Sequence, residues 1–170
     1  MKRQLKIFFV AMAALCTTSC LDKVPSSAIP QKDAMKTFSD AEQTVTGIYA
    51  LLKSGALYSG YLTILPDLQA DLVYAVDGYS NTYGNFWQWE IRSTTSEIES
   101  VYAALYQIIA NCNFYLERID GVMAATIDDA QLETLDTYTG EVYAIRALAF
   151  SELLKCYCKA YDPKTAKEEL

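Results

Sequence analysis

A chain of 170 residues, 52% of them hydrophobic and 21% charged, is long enough for one domain of ordinary size and too apolar to be disordered. Its 21 acidic residues outnumber 14 basic ones, and the resulting net charge of −7 repels phosphate backbones, which disfavours nucleic acid as a partner. No histidine occurs, which removes the commonest general base near neutral pH and the commonest metal ligand.

Lys2, Arg3 and Lys6 precede an apolar run at residues 7–15, and the small residues Thr17, Thr18 and Ser19 then lead to Cys20. That is the layout of a secretory signal, and the run is shorter than the roughly 20 residues a transmembrane helix needs. No other segment is apolar and long enough to span. A small-residue triplet ending in cysteine resembles the lipobox of bacterial lipoproteins, with Thr17 where that pattern usually has Leu. The resemblance implies that residues 1–19 are a signal peptide removed in maturation and that Cys20 is lipidated. An ordinary signal peptide, cleaved elsewhere with Cys20 left as a free thiol, is the alternative. Losing the leader removes three of the 14 basic residues, leaving 11 against 21 acidic, a balance of −10.

Residues 20–37 are polar and contain two prolines, and they read as a tether to a helical domain at 38–170. Ser39-x-x-Glu42 has capping-box spacing, and Ala41, Val45, Ile48 and Leu52 follow at helical spacing until Gly55. Residues 56–95 lack such a period and are interrupted by Gly60, Pro66, Gly78 and Gly84. This stretch is also the most aromatic, with Tyr58, Tyr61, Tyr74, Tyr79, Tyr83, Phe86, Trp87 and Trp89. An excursion this long inside a compact domain is usually functional. Residues 65–75 are expected to add a short helical turn to it.

A second helix is predicted from Ser96-x-x-Glu99, with Ile98, Val101, Leu105, Ile109, Cys112, Leu116 and Ile119 on one face and Gly121 as its stop. The third is predicted to start near Thr126-x-x-Asp129 and run to about Tyr161, before Asp162-Pro163. Gly140 lies inside it and marks a bend or a close helix approach. Its apolar residues fall into two stripes, Leu132, Leu135, Val142, Ile145, Ala149 and Cys156 on one side and Tyr143, Ala147, Phe150, Leu154, Tyr157 and Tyr161 on another. A helix apolar on two sides is normally sandwiched, so the domain is expected to be an incomplete, N-terminal part of a longer protein. Cys112, Cys156 and Cys158 read as buried structural thiols, because three cysteines make no disulfide framework and residues two apart on a helix cannot pair. With no alternating strand pattern, the domain is mainly α.

Three blocks in this order resemble the SusD/RagB family of lipid-anchored nutrient-binding proteins of the outer membrane. The first is FSDAEQTVTGIYALL at residues 38–52, with its Gly47-x-Tyr49. The second is YQIIANCNFYLERI at 106–119, where Tyr106, Ile109 and Asn113 reproduce a Tyr-x-x-Ile-x-x-x-Asn spacing. The third is GEVYAIRALAFSELLKCY at 140–157, similar to the family's Gly-Glu-Ala and Arg-Ala-x-x-Tyr segments, with Val142 and Phe150 as departures. Tyr102 stands where the family often has Trp. The resemblance implies the N-terminal, tetratricopeptide-like helical repeat part of a SusD-like fold. It further implies an outer-membrane lipoprotein that faces the cell exterior. Such a protein binds an oligosaccharide or, as second choice, a peptide, and delivers it to a SusC-like TonB-dependent transporter.

Sugar rings present flat C–H faces that stack on aromatics, and neighbouring amides and carboxylates take their hydroxyls. Tyr79, Tyr83, Asn85, Trp87 and Trp89 are therefore the candidate ligand contacts, with Trp87 and Trp89 on one side if the segment is extended. The bland alternative is that these rings pack the loop onto the helices. Asp67, Asp71 and Asp77 read as solvated or capping carboxylates. Asn113, Glu141 and Arg146 read as helix-to-helix hydrogen bonds. No catalytic residue, metal site or cofactor is expected. A structural or adaptor lipoprotein that binds other proteins through its helices is the competing function, and a secreted hydrolase is disfavoured for want of a nucleophile motif.

Overall fold

The computed structural model describes residues 33–76 and 82–162. The signal segment, Cys20, most of the tether, Asp77 and Tyr79 lie outside the described residues. Two compact units make up the chain, Met1–Ala34 and Met35–Leu170, and the architecture that follows is that of the second.

Five helices and no strand occur among the described residues: α1 (Phe38–Leu52), α2 (Tyr61–Gln69), α3 (Gly84–Trp87), α4 (Ser96–Ala125) and α5 (Asp129–Tyr157). The mainly α expectation holds. α4 and α5 are joined by residues 126–128 and pair along their length, as the Arg146 Nη1 to Asn113 Oδ1 bond at 2.8 Å and the Tyr157 hydroxyl to Ile98 carbonyl bond at 2.7 Å show. They form an antiparallel hairpin. One hairpin is not a repeat, so the tetratricopeptide-like arrangement rests on the resemblance alone.

α1 buries Ala41, Val45 and Ile48 against this hairpin, the face its sequence period marked. The helix begins earlier than Ser39 would place it. Thr37 is the N-cap: its Oγ1 accepts from the Asp40 N–H at 3.2 Å, while the Asp40 carboxylate accepts from the N–H groups of Thr37 and Lys36 at 2.9 and 3.0 Å. Phe38 packs against the core, which draws the first turn two residues upstream of the expected box. Those hydrogen bonds, that from the Lys36 amide first, hold the Asp40 carboxyl below its ordinary range. Its contribution is thus complete above the usual carboxylate pKa and fades as pH falls through the lowered one. Thr37→Ala should destabilise the domain by about 1 kcal/mol in urea denaturation at neutral pH.

The starts of the two long helices are also displaced. Thr95 precedes α4 without capping it through its side chain; its Oγ1 instead accepts from the Arg92 N–H at 3.2 Å, and Ser96 donates to Glu97, so the Ser96–Glu99 box does not form. Asp128 caps α5 by accepting from the Gln131 N–H at 3.0 Å, while Thr126 bonds back to the Val122 carbonyl at the end of α4. α4 passes through Gly121 because Val122, one residue on, is buried in the core and holds the next turn in place. α5 ends at Tyr157 rather than Tyr161. At Gly140 open space lies where a Cβ would sit, so no close helix approach occurs there.

On α5 the buried residues are Leu135, Val142, Ile145, Ala149 and Leu153. Leu153 rather than Cys156 completes the stripe, and this corrects the thiol reading: Cys112 is buried on α4, but Cys156 and Cys158 are exposed free thiols. The second stripe is not sandwiched among the described residues. Tyr143, Phe150 and Tyr161 are exposed, and Leu154 is 62% exposed.

Candidate ligand-binding face

The aperiodic stretch folds by tertiary packing rather than local propensity. Gly60 lets the backbone double back onto Gly55: the Tyr61 N–H donates to the Gly55 carbonyl at 2.9 Å, and a Cβ at Gly60 would collide with that carbonyl. α2 follows and turns Leu65 and Leu68 inward, where Phe86, fully buried at 0% exposure, joins them in a second small core. Tyr61, Tyr83, Trp87, Ile91 and Ile98 pack around it.

Two aromatic residues bracket the short helix α3 in left-handed backbone geometry, Tyr83 at φ 61° and Trp89 at φ 59°. Side chains of this size rarely adopt it, and each such residue costs on the order of 1 kcal/mol or more, a strain that clusters at functional sites. Tyr83 meets Tyr61 edge to face, with centroids 5.9 Å apart and planes at 79°. Partial burial pushes the Tyr83 hydroxyl pKa upward, with Tyr61 and the Glu97 charge adding to it. Trp87 is half-buried against the second core, whereas Trp89 is 65% exposed. The two tryptophans therefore do not share one side: Trp87 closes the helical turn, and Trp89, two residues on, takes left-handed backbone. Asn85 opens onto a shallow hollow that it shares with Glu90, Ile91 and Arg92.

Beside this segment, α2, residues 91–93, the start of α4 and the end of α5 enclose a cavity of about 640 Å³. Its polar groups include Gln69, Arg92, Glu152 and Lys155, and Ile91 and Arg92 line both it and the shallow hollow. Glu152 accepts from the Lys155 ammonium at 3.0 Å and from the Tyr58 hydroxyl at 3.3 Å. Desolvation, then the Glu152 charge, pushes the Tyr58 pKa up to about 12. Desolvation does the same to Tyr157, whose hydroxyl is held by the Ile98 carbonyl.

Residues 20–169 match the family model described as "Starch-binding associating with outer membrane". The chain belongs to the SusD-like family. SusD-like protein P25 of Formosa agariphila is 26% identical over 182 aligned positions, which cover all of this chain and 33% of the relative. The chain thus spans about a third of the length of that curated relative. No solved structure matches.

The three SusD-like blocks lie on α1, α4 and α5 and supply most of the main core, and the end of the third, from Glu152 to Tyr157, also lines the cavity. Ile109 is buried in the core and Asn113 receives the Arg146 bond, the helix-to-helix role expected of both polar residues. Glu141 raises the pKa of Tyr49 on α1, after burial, by hydrogen bonding and charge, and so also acts between helices. Asp71 is exposed and Asp67 half-buried. No group of three histidine, cysteine or acidic side chains able to hold a metal occurs among the described residues. The structure brings Tyr83, Asn85, Trp87 and Trp89 onto one short segment; Tyr79 lies outside the described residues. Sequence reasoning missed Gln69, Arg92, Glu152 and Lys155, which come together only when α2 and α5 meet the 91–93 segment.

Proposed function

We propose that this SusD-like chain belongs to a lipid-anchored binding protein of the outer membrane that captures an oligosaccharide on its aromatic segment and passes it to a SusC-like TonB-dependent transporter. The family match carries this reading, and its description names both starch binding and the outer membrane. The match opens at residue 20, which supports Cys20 as the first residue of the mature, lipidated protein. No helix among the described residues is long and apolar enough to cross a membrane, so a lipid on Cys20 would supply the attachment. A surface of net negative charge suits an uncharged or hydroxyl-rich ligand better than nucleic acid.

Trp89 is the contact this reading depends on, because it is exposed and held by a strained backbone, whereas Trp87 is half-buried against the second core. Trp87→Ala/Trp89→Ala should weaken glycan binding about tenfold, equivalent to roughly 1.4 kcal/mol. Affinity electrophoresis against a polysaccharide panel measures it, and retardation equal to wild type would remove these residues from the site. The exposed stripe of Tyr143, Phe150 and Leu154 favours a second reading, an adaptor that binds a protein through α5. A pull-down that yields protein partners, with no glycan retardation, would support it.

A further inference from the structure

The 640 Å³ cavity falls within the range of about 300–1,000 Å³ typical of ligand pockets. Leu65 and Pro66 of α2 and Ile98 of α4 give it apolar walls. Its charges are unequal. The Glu152 side chain is only 14% exposed, and its carboxylate already has two donors, Lys155 and Tyr58. Lys155 is 63% exposed and keeps two of its three N–H donors free of Glu152. Arg92 uses its backbone N–H on Thr95 and makes no ion pair among the described residues. Two cations against one carboxylate, already paired through Oε1, leave the lining positive in a chain of net charge −7. Glu90 lines the neighbouring hollow but not the cavity.

We propose that this cavity takes a sugar unit bearing an anionic group, a carboxylate or a sulfate, with its C–H face on the apolar wall and its anion on Arg92 and Lys155. A guanidinium offers a planar pair of donors to either oxyanion. Arg92 also borders the hollow beneath Asn85, so a glycan lying along the Trp89 segment can place its next unit in the cavity. The proposal rests on the glycan-binding reading above and narrows it to acidic glycans.

Cys156 lines the cavity and Cys158 does not, which provides a reporter and its internal control. The protein is alkylated with N-ethylmaleimide, with and without polygalacturonate (carboxylate), a sulfated galactan or starch (neutral), and each cysteine is followed by peptide mass spectrometry. At a ligand concentration about ten times the dissociation constant, occupancy should slow Cys156 alkylation about tenfold and leave Cys158 unchanged. Polygalacturonate and the sulfated galactan separate the two anions; protection by either one supports the proposal. Arg92→Gln should remove the protection. Equal protection by starch, protection that persists in Arg92→Gln, or protection by poly-glutamate with none by either acidic glycan would overturn it. Retardation by a polysaccharide without protection of Cys156 under either acidic glycan would overturn the cavity site and leave glycan binding intact. No retardation and no protection across the panel would overturn both.

Discussion

Phe86→Ala should release the aromatic segment and abolish glycan retention while the α4–α5 hairpin stays folded. Phe86 is fully buried, and truncating a buried Phe costs about 3–5 kcal/mol through lost transfer energy and an unfilled cavity. Its cluster with Leu65 and Leu68 is distinct from the core of α1, α4 and α5, so the loss falls on α2, α3 and the 83–91 segment. α3 has four residues and no stability of its own. The left-handed backbones at Tyr83 and Trp89 persist only while their surroundings enforce them, and Phe86 is the side chain that pins the turn between them. Far-UV circular dichroism should change little, because α1, α4 and α5 supply most of the helical residues, while tryptophan emission should shift to the red as Trp87 loses its cover. Wild-type retardation in affinity electrophoresis by Phe86→Ala would mean that the glycan does not depend on the bracketed turn.

The same separation into two cores explains what could be read in advance. α4 buries a residue at least every four positions from Val101 to Val122, and α5 keeps the same face from Leu135 to Leu153, a signal strong enough to survive Gly121 and Gly140. Helix starts are less legible, since Ser, Thr, Asp and Glu recur near each one and packing chooses among them: at α1, Phe38 on the core favours Thr37 over Ser39. The aromatic segment stands out by its composition, but its geometry does not. Extended backbone would place Trp87 and Trp89 together, and only the burial of Phe86, next to Trp87, against α2 some 20 residues away in sequence holds Gly84–Trp87 helical. The cavity carried no local pattern at all, because its lining comes from three separated stretches whose charges look like ordinary surface residues when taken singly. The second stripe of α5 is apolar as its sequence indicates, yet among the described residues only Tyr157 of its large side chains packs against the core.

Cys20→Ala should eliminate fatty-acid labelling and leave the protein either as an uncleaved precursor or free of the membrane. On the proposed reading the acyl chains are the attachment, since each buried methylene contributes about 0.8 kcal/mol and one chain alone binds only marginally. Several chains on one cysteine are needed for a stable anchor, and removing their single attachment point removes all of them together. The fold should be indifferent to the change. Met35 is the first residue of the described chain that joins the core, and the residues between it and Cys20 can reach at most about 50 Å when fully extended. The helical domain could therefore unfold at the same urea concentration in the variant and the wild type while its location changes completely. Glycan retention by the released protein should match wild type, because Phe86, Trp89 and the cavity lie beyond the first core residue. Fatty-acid label that persisted on Cys20→Ala would place the anchor on another residue, and a membrane-bound variant without label would indicate attachment through a partner instead of a lipid.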